Sequence, residues 1–262
     1  LEKEKPISSK KIYFASDFHL GIPDYASSLE REKMLVSWLD RVKDDAAAIF
    51  LMGDVFDFWF EYKTVVPKGF IRLLGKLAEI TDLGIPVHLF TGNHDIWAFG
   101  YLQKEIGIQL HRHPEVHELM GKTFFLAHGD GLGPGDNGYK FLKKVFSNRF
   151  NQFLFRWLHP DIGAKMGLYF SGRSRLANIM KEDRKENMNR IEDEMLFKYA
   201  TERLRIGQKA DYFIFGHRHR PVDIELKPGS RLIILGDWLT HFTWAEFDGK
   251  EMKLKYFKND SI

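Results

Sequence analysis

Five times along this chain a short apolar run stops at side chains that can hold a metal ion. The five are Phe14-Ala15-Ser16-Asp17-Phe18-His19, Phe50-Leu51-Met52-Gly53-Asp54, Leu89-Phe90-Thr91-Gly92-Asn93-His94-Asp95, Phe124-Phe125-Leu126-Ala127-His128-Gly129-Asp130 and Phe213-Ile214-Phe215-Gly216-His217-Arg218-His219. An apolar run of this length, bounded by turn residues, reads as a buried strand. Its polar end is then the C-terminal tip, the edge at which open α/β sheets bind ligands. One strand ending in Gly-Asp is as easily a turn or a helix cap. Five such ends, each with oxygen or imidazole donors, point to tips that meet around two metal ions, with Asp54 between them.

The spacing between these runs sets the rest of the fold. Strands are expected at Lys11–Ala15, 47–52 and 86–91. Helices fall between them: one capped by Ser27 or Ser28 and running to Val42, one over 70–81 and a short one over 99–106. Residues 116–119 and 123–127 read as a hairpin around Met120-Gly121-Lys122. Across 132–205 helical spacing dominates, with one helix expected over 182–203 and Met188, Ile191, Met195 and Tyr199 facing inward. Strands resume at Tyr212–Phe215, 222–226, 231–235, Thr243–Phe247 and 252–257, which predicts a second, mostly antiparallel sheet in the C-terminal third. The class is α/β, with two sheets packed face to face and helices outside. Residues 1–131 and 206–262 form the core in this reading, and 132–205 a helical insertion.

Composition narrows the chemistry. With 262 residues, 44% of them hydrophobic, the chain can bury a sizeable core. It has no cysteine, so disulfides and thiolate sites are excluded and a metal must take oxygen and imidazole ligands. A net charge of +3 without a continuous basic stripe argues against a nucleic-acid partner. No apolar run approaches the roughly 20 residues of a membrane span. Leu1-Glu2-Lys3-Glu4-Lys5-Pro6 carries no signal-peptide core. The expectation is a cytoplasmic protein, with peripheral contact at the inner membrane left open and the oligomeric state unspecified.

Asp17, His19, Asp54, Asn93, His128, His217 and His219 are the candidate metal ligands. Strand alternation would send Asp17 and His19 to one side, and likewise His217 and His219, if these segments stay extended. This donor number suits two adjacent ions sharing one carboxylate. Carboxylate with imidazole suits Mn²⁺, Fe²⁺ or Zn²⁺ better than Mg²⁺ or Ca²⁺. Two divalent ions, the Asp17 and Asp54 carboxylates and one hydroxide leave a formal charge of about +1, attractive to a phosphate diester or pyrophosphate. No Ser or Cys nucleophile is required. His94, outside the ligand set, is the candidate to donate a proton or hydrogen bond to the departing oxygen. Asp57 and Asp95 either orient an imidazole or cap a helix. His88, His111, His113 and His117 lie away from the tips and read as ordinary core or surface residues. His159, before Pro160, reads as part of a helix end.

In this order the five motifs, D-x-H, G-D-x-x-D, G-N-H-D, H-G-D and G-H-x-H, resemble the calcineurin-like metallophosphoesterase superfamily across residues 17–219. The resemblance implies an αββα sandwich of two mixed sheets and a two-metal phosphoesterase. It implies one ion on Asp17, His19, Asp54 and His219, and the other on Asp54, Asn93, His128 and His217. A narrower resemblance is carried by Ser16-Asp17-Phe18-His19-Leu20-Gly21, Gly53-Asp54-Val55-Phe56-Asp57-Phe58-Trp59, His128 through Asp136 to Tyr139, and Leu235-Gly236-Asp237-Trp238. These look like the UDP-2,3-diacylglucosamine pyrophosphatases of lipid A synthesis. That family carries a helical lid, is usually Mn²⁺-dependent, and cleaves at the α-phosphorus to give UMP and 2,3-diacylglucosamine 1-phosphate. It implies substrate contacts at Asn93, His94, Asp136, Tyr139, Ser174, Asn178, Lys181 and His217. One position departs: His94 follows the Asn, as in the wider superfamily, where the best-known members of the narrower family carry Arg.

The insertion is dense in large apolar residues, among them Phe141, Phe146, Phe150, Phe153, Phe155 and Trp157, with basic residues interspersed. Two readings stand: a lid with an apolar pocket for acyl chains and a basic, aromatic face for an anionic membrane, or the packing of a small helical subdomain or oligomer contact. Ser171-Gly172-Arg173-Ser174-Arg175 reads as a loop, either holding phosphate or sugar hydroxyls or simply connecting. The activity expected is hydrolysis of the nucleotide-lipid pyrophosphate. The alternative is a metal-dependent phosphodiesterase acting on another nucleotide or cyclic diester. A non-catalytic scaffold of this fold should have lost ligands, and none is missing.

Overall fold

The computed structural model describes residues 10–135, 137–185 and 191–257, and the backbone alone for 173–185. In chain order the elements are β1 (Lys11–Ala15), α1 (Tyr25–Val42), β2 (Ala46–Leu51), α2 (Ile71–Asp82), β3 (Val87–Phe90), α3 (Tyr101–Ile106), β4 (Gln109–His111), β5 (Glu115–Leu119), β6 (Lys122–Leu126), α4 (Asn137–Ser147), α5 (Arg149–Phe155), α6 (Pro160–Lys185), α7 (Met195–Arg205), β7 (Tyr212–Phe215), β8 (Pro221–Lys227), β9 (Ser230–Leu235), β10 (Thr243–Phe247) and β11 (Met252–Tyr256).

Two mixed sheets result, ordered β11-β10-β1-β2-β3-β4 and β5-β6-β7-β9-β8. Alternation along the strands builds the layers. Ile12 and Phe14 of β1 face the space between the sheets, with Phe50, Phe124, Leu126, Ile214, Ile233 and Phe247. Tyr13 and Ala15 face the other way, onto Leu35, Trp38 and Leu39 of α1 and Leu73 and Leu77 of α2. On the second sheet Phe125, Phe213 and Phe215 point outward and pack against Leu196 and Ala200 of α7. The layering is therefore helix, sheet, sheet, helix.

The second sheet is not a C-terminal unit. The hairpin β10–β11 returns to the first sheet, where β10 pairs antiparallel with β1. The second sheet takes β5 and β6 from the first half of the chain, and its β6–β7 and β7–β9 pairs are parallel. Periodicity identifies a strand but not its partner, so this exchange was invisible in the spacing. Other boundaries shift too. Asp24, not Ser27 or Ser28, caps α1, accepting from Ser27 N–H at 2.9 Å. Ser28 instead turns inward, its Oγ accepting from Gly21 N–H at 2.8 Å. The helix expected over 182–203 divides between the end of α6 and α7, and the buried positions of α7 are Leu196 and Ala200. Met188 lies outside the described residues. Ser171-Gly172-Arg173-Ser174-Arg175 is not a loop but part of α6.

The helical block docks through small residues onto an aromatic loop. A Cβ on Gly167 of α6 would overlap the Phe58 ring, and one on Gly163 would overlap the Tyr62 hydroxyl. Phe155 of α5 packs on Phe60 and Trp97, with centroids 4.7 and 4.9 Å apart. Trp97 Nε1 donates to the Phe146 carbonyl at 2.9 Å. Much of the block's apolar surface stays outside: Phe141, Phe150, Phe153, Trp157, Tyr169 and Phe170 are all exposed. Among the described residues no helix is long and apolar enough to cross a membrane.

Candidate metal centre

The parallel strands β1, β2 and β3 of one sheet and β6, β7 and β9 of the other all end at the same edge. Their tips are stitched by main-chain bonds: Asp17 N–H to Gly53 O at 3.0 Å, His19 N–H to Asp54 O at 2.9 Å, and Gly216 N–H to His128 O at 2.8 Å. Asp17, His19, Asp54, His217 and His219 all leave the strand in the left-handed region, with φ between 45° and 67°. Such a backbone costs a non-glycine residue about 1–3 kcal/mol and persists where surrounding contacts over-determine it. The Asp17–His19 and His217–His219 segments are therefore not extended, and strand alternation does not aim their side chains as expected. His217 and His219 go to different groups instead.

Two adjacent groups form. Asp17, His19 and His219 make one; Asp54, His128 and His217 make the other; and a further set, His19, Asp54 and His94, bridges them. Each carboxylate divides its work between its oxygens. Asp17 Oδ2 accepts from Ser16 Oγ–H at 2.5 Å and His217 N–H at 2.9 Å. Its Oδ1 has no hydrogen-bond partner and lies 3.3 Å from His219 Nε2 and 3.7 Å from His19 Nε2. Asp54 Oδ1 accepts from His94 N–H at 2.9 Å, while Oδ2 lies 3.2 Å from His128 Nε2 and 3.8 Å from His19 Nε2. His128 Nδ1–H donates to Met52 O at 2.7 Å, which leaves Nε2 facing Asp54. Asn93 Oδ1 and His128 Nε2 are also buried without a hydrogen-bond partner. A buried polar atom with no partner is costly, so these atoms fit a bound cation. Glycine makes the approach possible: a Cβ on Gly53, which sits at φ +97°, would stand 2.5 Å from His128 Nδ1.

The electrostatics agree. Burial alone would raise the Asp54 carboxyl, but the imidazoles of His128, His94 and His19 outweigh it and hold it well below its usual value. Against the same burial, Asp54 and Asp17 push His128 up to about 10, and Asp17 and Asp237 push His219 up to about 10. His217 moves the other way, to about 4, through burial and the nearby His128. The buried carboxylates draw positive charge into the site, whether protons or metal ions. The donor set suits a pair of divalent ions.

A surrounding ring of residues aims the donors, and several escaped the sequence. Asp57 Oδ1 lies 3.3 Å from His19 Nδ1, and Asp237 Oδ2 lies 3.4 Å from His219 Nδ1, so both carboxylates orient imidazoles. Asp95 touches no imidazole in this way. Its oxygens accept from Gly92 N–H at 2.7 Å and Val55 N–H at 2.8 Å, tying two tips together. His94 Nδ1 lies 2.9 Å from the Asp57 carbonyl, and its Nε2 lies 4.0 Å from Asp54 Oδ2. Ser171 reaches in from α6: its Oγ donates to Asp57 Oδ2 at 2.6 Å and stands 3.0 Å from His94 Nδ1. No spacing rule links residue 171 to 57 and 94. Asp130, the last residue of its motif, holds Lys143 Nζ at 2.6 Å and the Tyr139 hydroxyl, and the Tyr139 ring lies 6.4 Å from that of His217. Asp136 lies outside the described residues, and so do the side chains of Ser174, Asn178 and Lys181.

Residues 10–221 match the family model described as calcineurin-like phosphoesterase. The chain is 41% identical over 254 residues to a UDP-2,3-diacylglucosamine hydrolase of Porphyromonas gingivalis (strain ATCC BAA-308 / W83), covering 94% of this chain and 97% of that protein. It is 29% identical over 227 residues to a protein of the same name from Shewanella sp. (strain W3-18-1), covering 86% and 88%. A third of that name, from Proteus mirabilis (strain HI4320), is 27% identical over 248 residues, covering 93% and 98%. With the tips of two mixed sheets converging on paired His/Asp groups, the chain belongs to the calcineurin-like phosphoesterase family.

Proposed function

We propose that the protein hydrolyses the pyrophosphate of UDP-2,3-diacylglucosamine at the α-phosphorus, giving UMP and 2,3-diacylglucosamine 1-phosphate. The observation that carries the chemistry is the place of Asp54 Oδ2 between the two adjacent donor groups, 3.2 Å from His128 Nε2 of one and 3.8 Å from His19 Nε2 of the other. The substrate class follows the name of the relative at 41% identity. In this reading Asp17, His19, Asp54 and His219 hold one divalent ion, and Asp54, Asn93, His128 and His217 the other. Mixed carboxylate, amide and imidazole donors favour Mn²⁺, with Fe²⁺ or Zn²⁺ as alternatives. When bound, such a pair supplies an activated water and offsets charge on the phosphoryl oxygens.

The chain's own residues do the positioning. Asp57 and Asp237 fix the ring orientations of His19 and His219. His94 Nδ1–H donates to the Asp57 carbonyl, which turns Nε2 toward the reacting phosphates; a proton taken up there, in the charged ring, supports the leaving oxygen. Tyr139, with Asp136, Ser174, Asn178 and Lys181 of the helical block, completes the substrate contacts. Helices α4–α6 act as the lid, and α7 belongs to the layer covering the second sheet. Exposed Phe150, Phe153 and Trp157, with Arg149 and Arg156 beside them in sequence, meet the acyl chains or the cytoplasmic face of the inner membrane.

The test is incubation of purified protein with Mn²⁺ and UDP-2,3-diacylglucosamine, following release of UMP. UMP formation that stops with a chelator supports the reading. An untouched lipid alongside rapid turnover of a cyclic diester or simpler nucleotide conjugate overturns the substrate assignment.

A further inference from the structure

A third donor group lies away from the strand tips, at the edge strands of the sandwich. It comprises His111 of β4 and Glu115 and His117 of β5, and it shares no residue with the groups at the tips. Strand register shows why these side chains meet. His88 pairs with Phe50, and His111 with Phe90; both phenylalanines face the space between the sheets. On β5, Val116 is exposed, so Glu115 and His117 take the opposite face, toward that same space. The chain crosses from the first sheet to the second between them, through Arg112-His113-Pro114.

The three ligand atoms all lie within 4.8 Å of one another. Glu115 Oε2 lies 2.8 Å from His111 Nδ1 and 3.3 Å from His117 Nε2. Ligands held about 2.0–2.1 Å from a tetrahedral ion are about 3.3 Å apart. His117 Nε2 is buried and makes no hydrogen bond, although Glu115 Oε2 is near. His88 Nδ1 lies 3.0 Å from His111 Nε2. The ring of His88 stacks on Phe50 at 4.2 Å and that of His111 on Phe90 at 4.6 Å, which fixes both planes.

We propose that His111, Glu115 and His117 bind a zinc ion that clips the two sheets together where the chain passes between them, and that His88 positions His111. Zinc takes the place of the Nδ1 proton that His111 shares with Glu115 Oε2, and the ring's remaining proton then sits on Nε2, where His88 Nδ1 accepts it. Two imidazoles and one carboxylate, with water in the fourth place, are a familiar zinc donor set. The inference stands apart from the hydrolase reading, because none of these residues belongs to the paired centre.

The experiment is metal analysis of the full chain, stripped with chelator, reloaded with Zn²⁺ and desalted. The wild-type protein is expected to hold three equivalents and His117→Ala two. Glu115→Gln, altered at a partly exposed side chain, is expected to hold two as well and serves if His117→Ala does not fold. Added Zn²⁺ should raise the wild-type Tm by about 5 °C more than it raises that of either variant. His88→Leu should weaken the third equivalent about 10–100-fold, and His88→Gln, which keeps an acceptor, should restore most of it. Two equivalents in the wild-type protein, or an unchanged count in the folded variants, would overturn the site. An unchanged affinity in His88→Leu would remove the positioning role.

Discussion

The strand tips and the helical block treat their side chains in opposite ways. At the tips, charged and polar groups are buried: Asp17, His19, Asp54 and His128 are all at most 3% exposed, and three of the five left-handed turns at the candidate ligands fall on buried donors. In α4 and α5 the large apolar residues are outside, with no residue of either helix fully buried. Burying charge demands partners, so the tips are over-determined by main-chain bonds and by one another. Exposing Phe150 or Trp157 gains nothing for folding, and in the function proposed above these residues serve the acyl chains or a membrane face. The two regions meet at Ser171, which a helix of the block lends to Asp57 and His94 of the tips.

Substitutions can break or sharpen this contrast. Asp54→Ala should lower UMP release by about 1,000-fold or more, because several kcal/mol of metal-dependent stabilisation disappear; steady-state assay with circular dichroism as a folding control checks this, and retained activity sinks the paired centre. Asp57→Asn should cost about 10–100-fold in metal affinity or rate, read by Mn²⁺ titration of activity. Gly167→Leu should overpack the Phe58 contact by about 1–3 kcal/mol and loosen the block. It is expected to impair lipid turnover while a small chromogenic diester is still hydrolysed; equal loss on both would mean that the block is part of the core. Trp157→Asp should change unfolding free energy by no more than about 0.5 kcal/mol, since its side chain is exposed. Its effect should appear as slower turnover of substrate in anionic vesicles than in detergent. A large stability loss there would erase the distinction between the two regions.

Much of the centre was readable before any coordinates. Metal donors placed directly after apolar strand runs leave few alternatives, and Asp17, His19, Asp54, His128, His217 and His219 do come together. What misled was geometry on the scale of one residue. An extended Asp17-Phe18-His19 would aim its polar groups by alternation; the left-handed turns at both residues do it instead. Asp95 resembled an imidazole partner but bonds main-chain N–H groups. Ser171 reads as part of a loop, whereas helix α6 delivers it to the centre. His88, His111 and His117 carried no motif, because they gather from three strands in two sheets.

Most of the strands, the metal donors at their ends and the helical block that interrupts them are legible in the residues alone, though the short β4 (Gln109–His111) is not. Those properties are local, set by periodicity and by the chemistry of adjacent residues. Only the tertiary structure decided that β10 and β11 rejoin the first sheet, that β5 and β6 found the second, and that Ser171 reaches Asp57. Pairing and reach depend on which surfaces are buried together across long stretches of chain, and no single window of sequence holds that information.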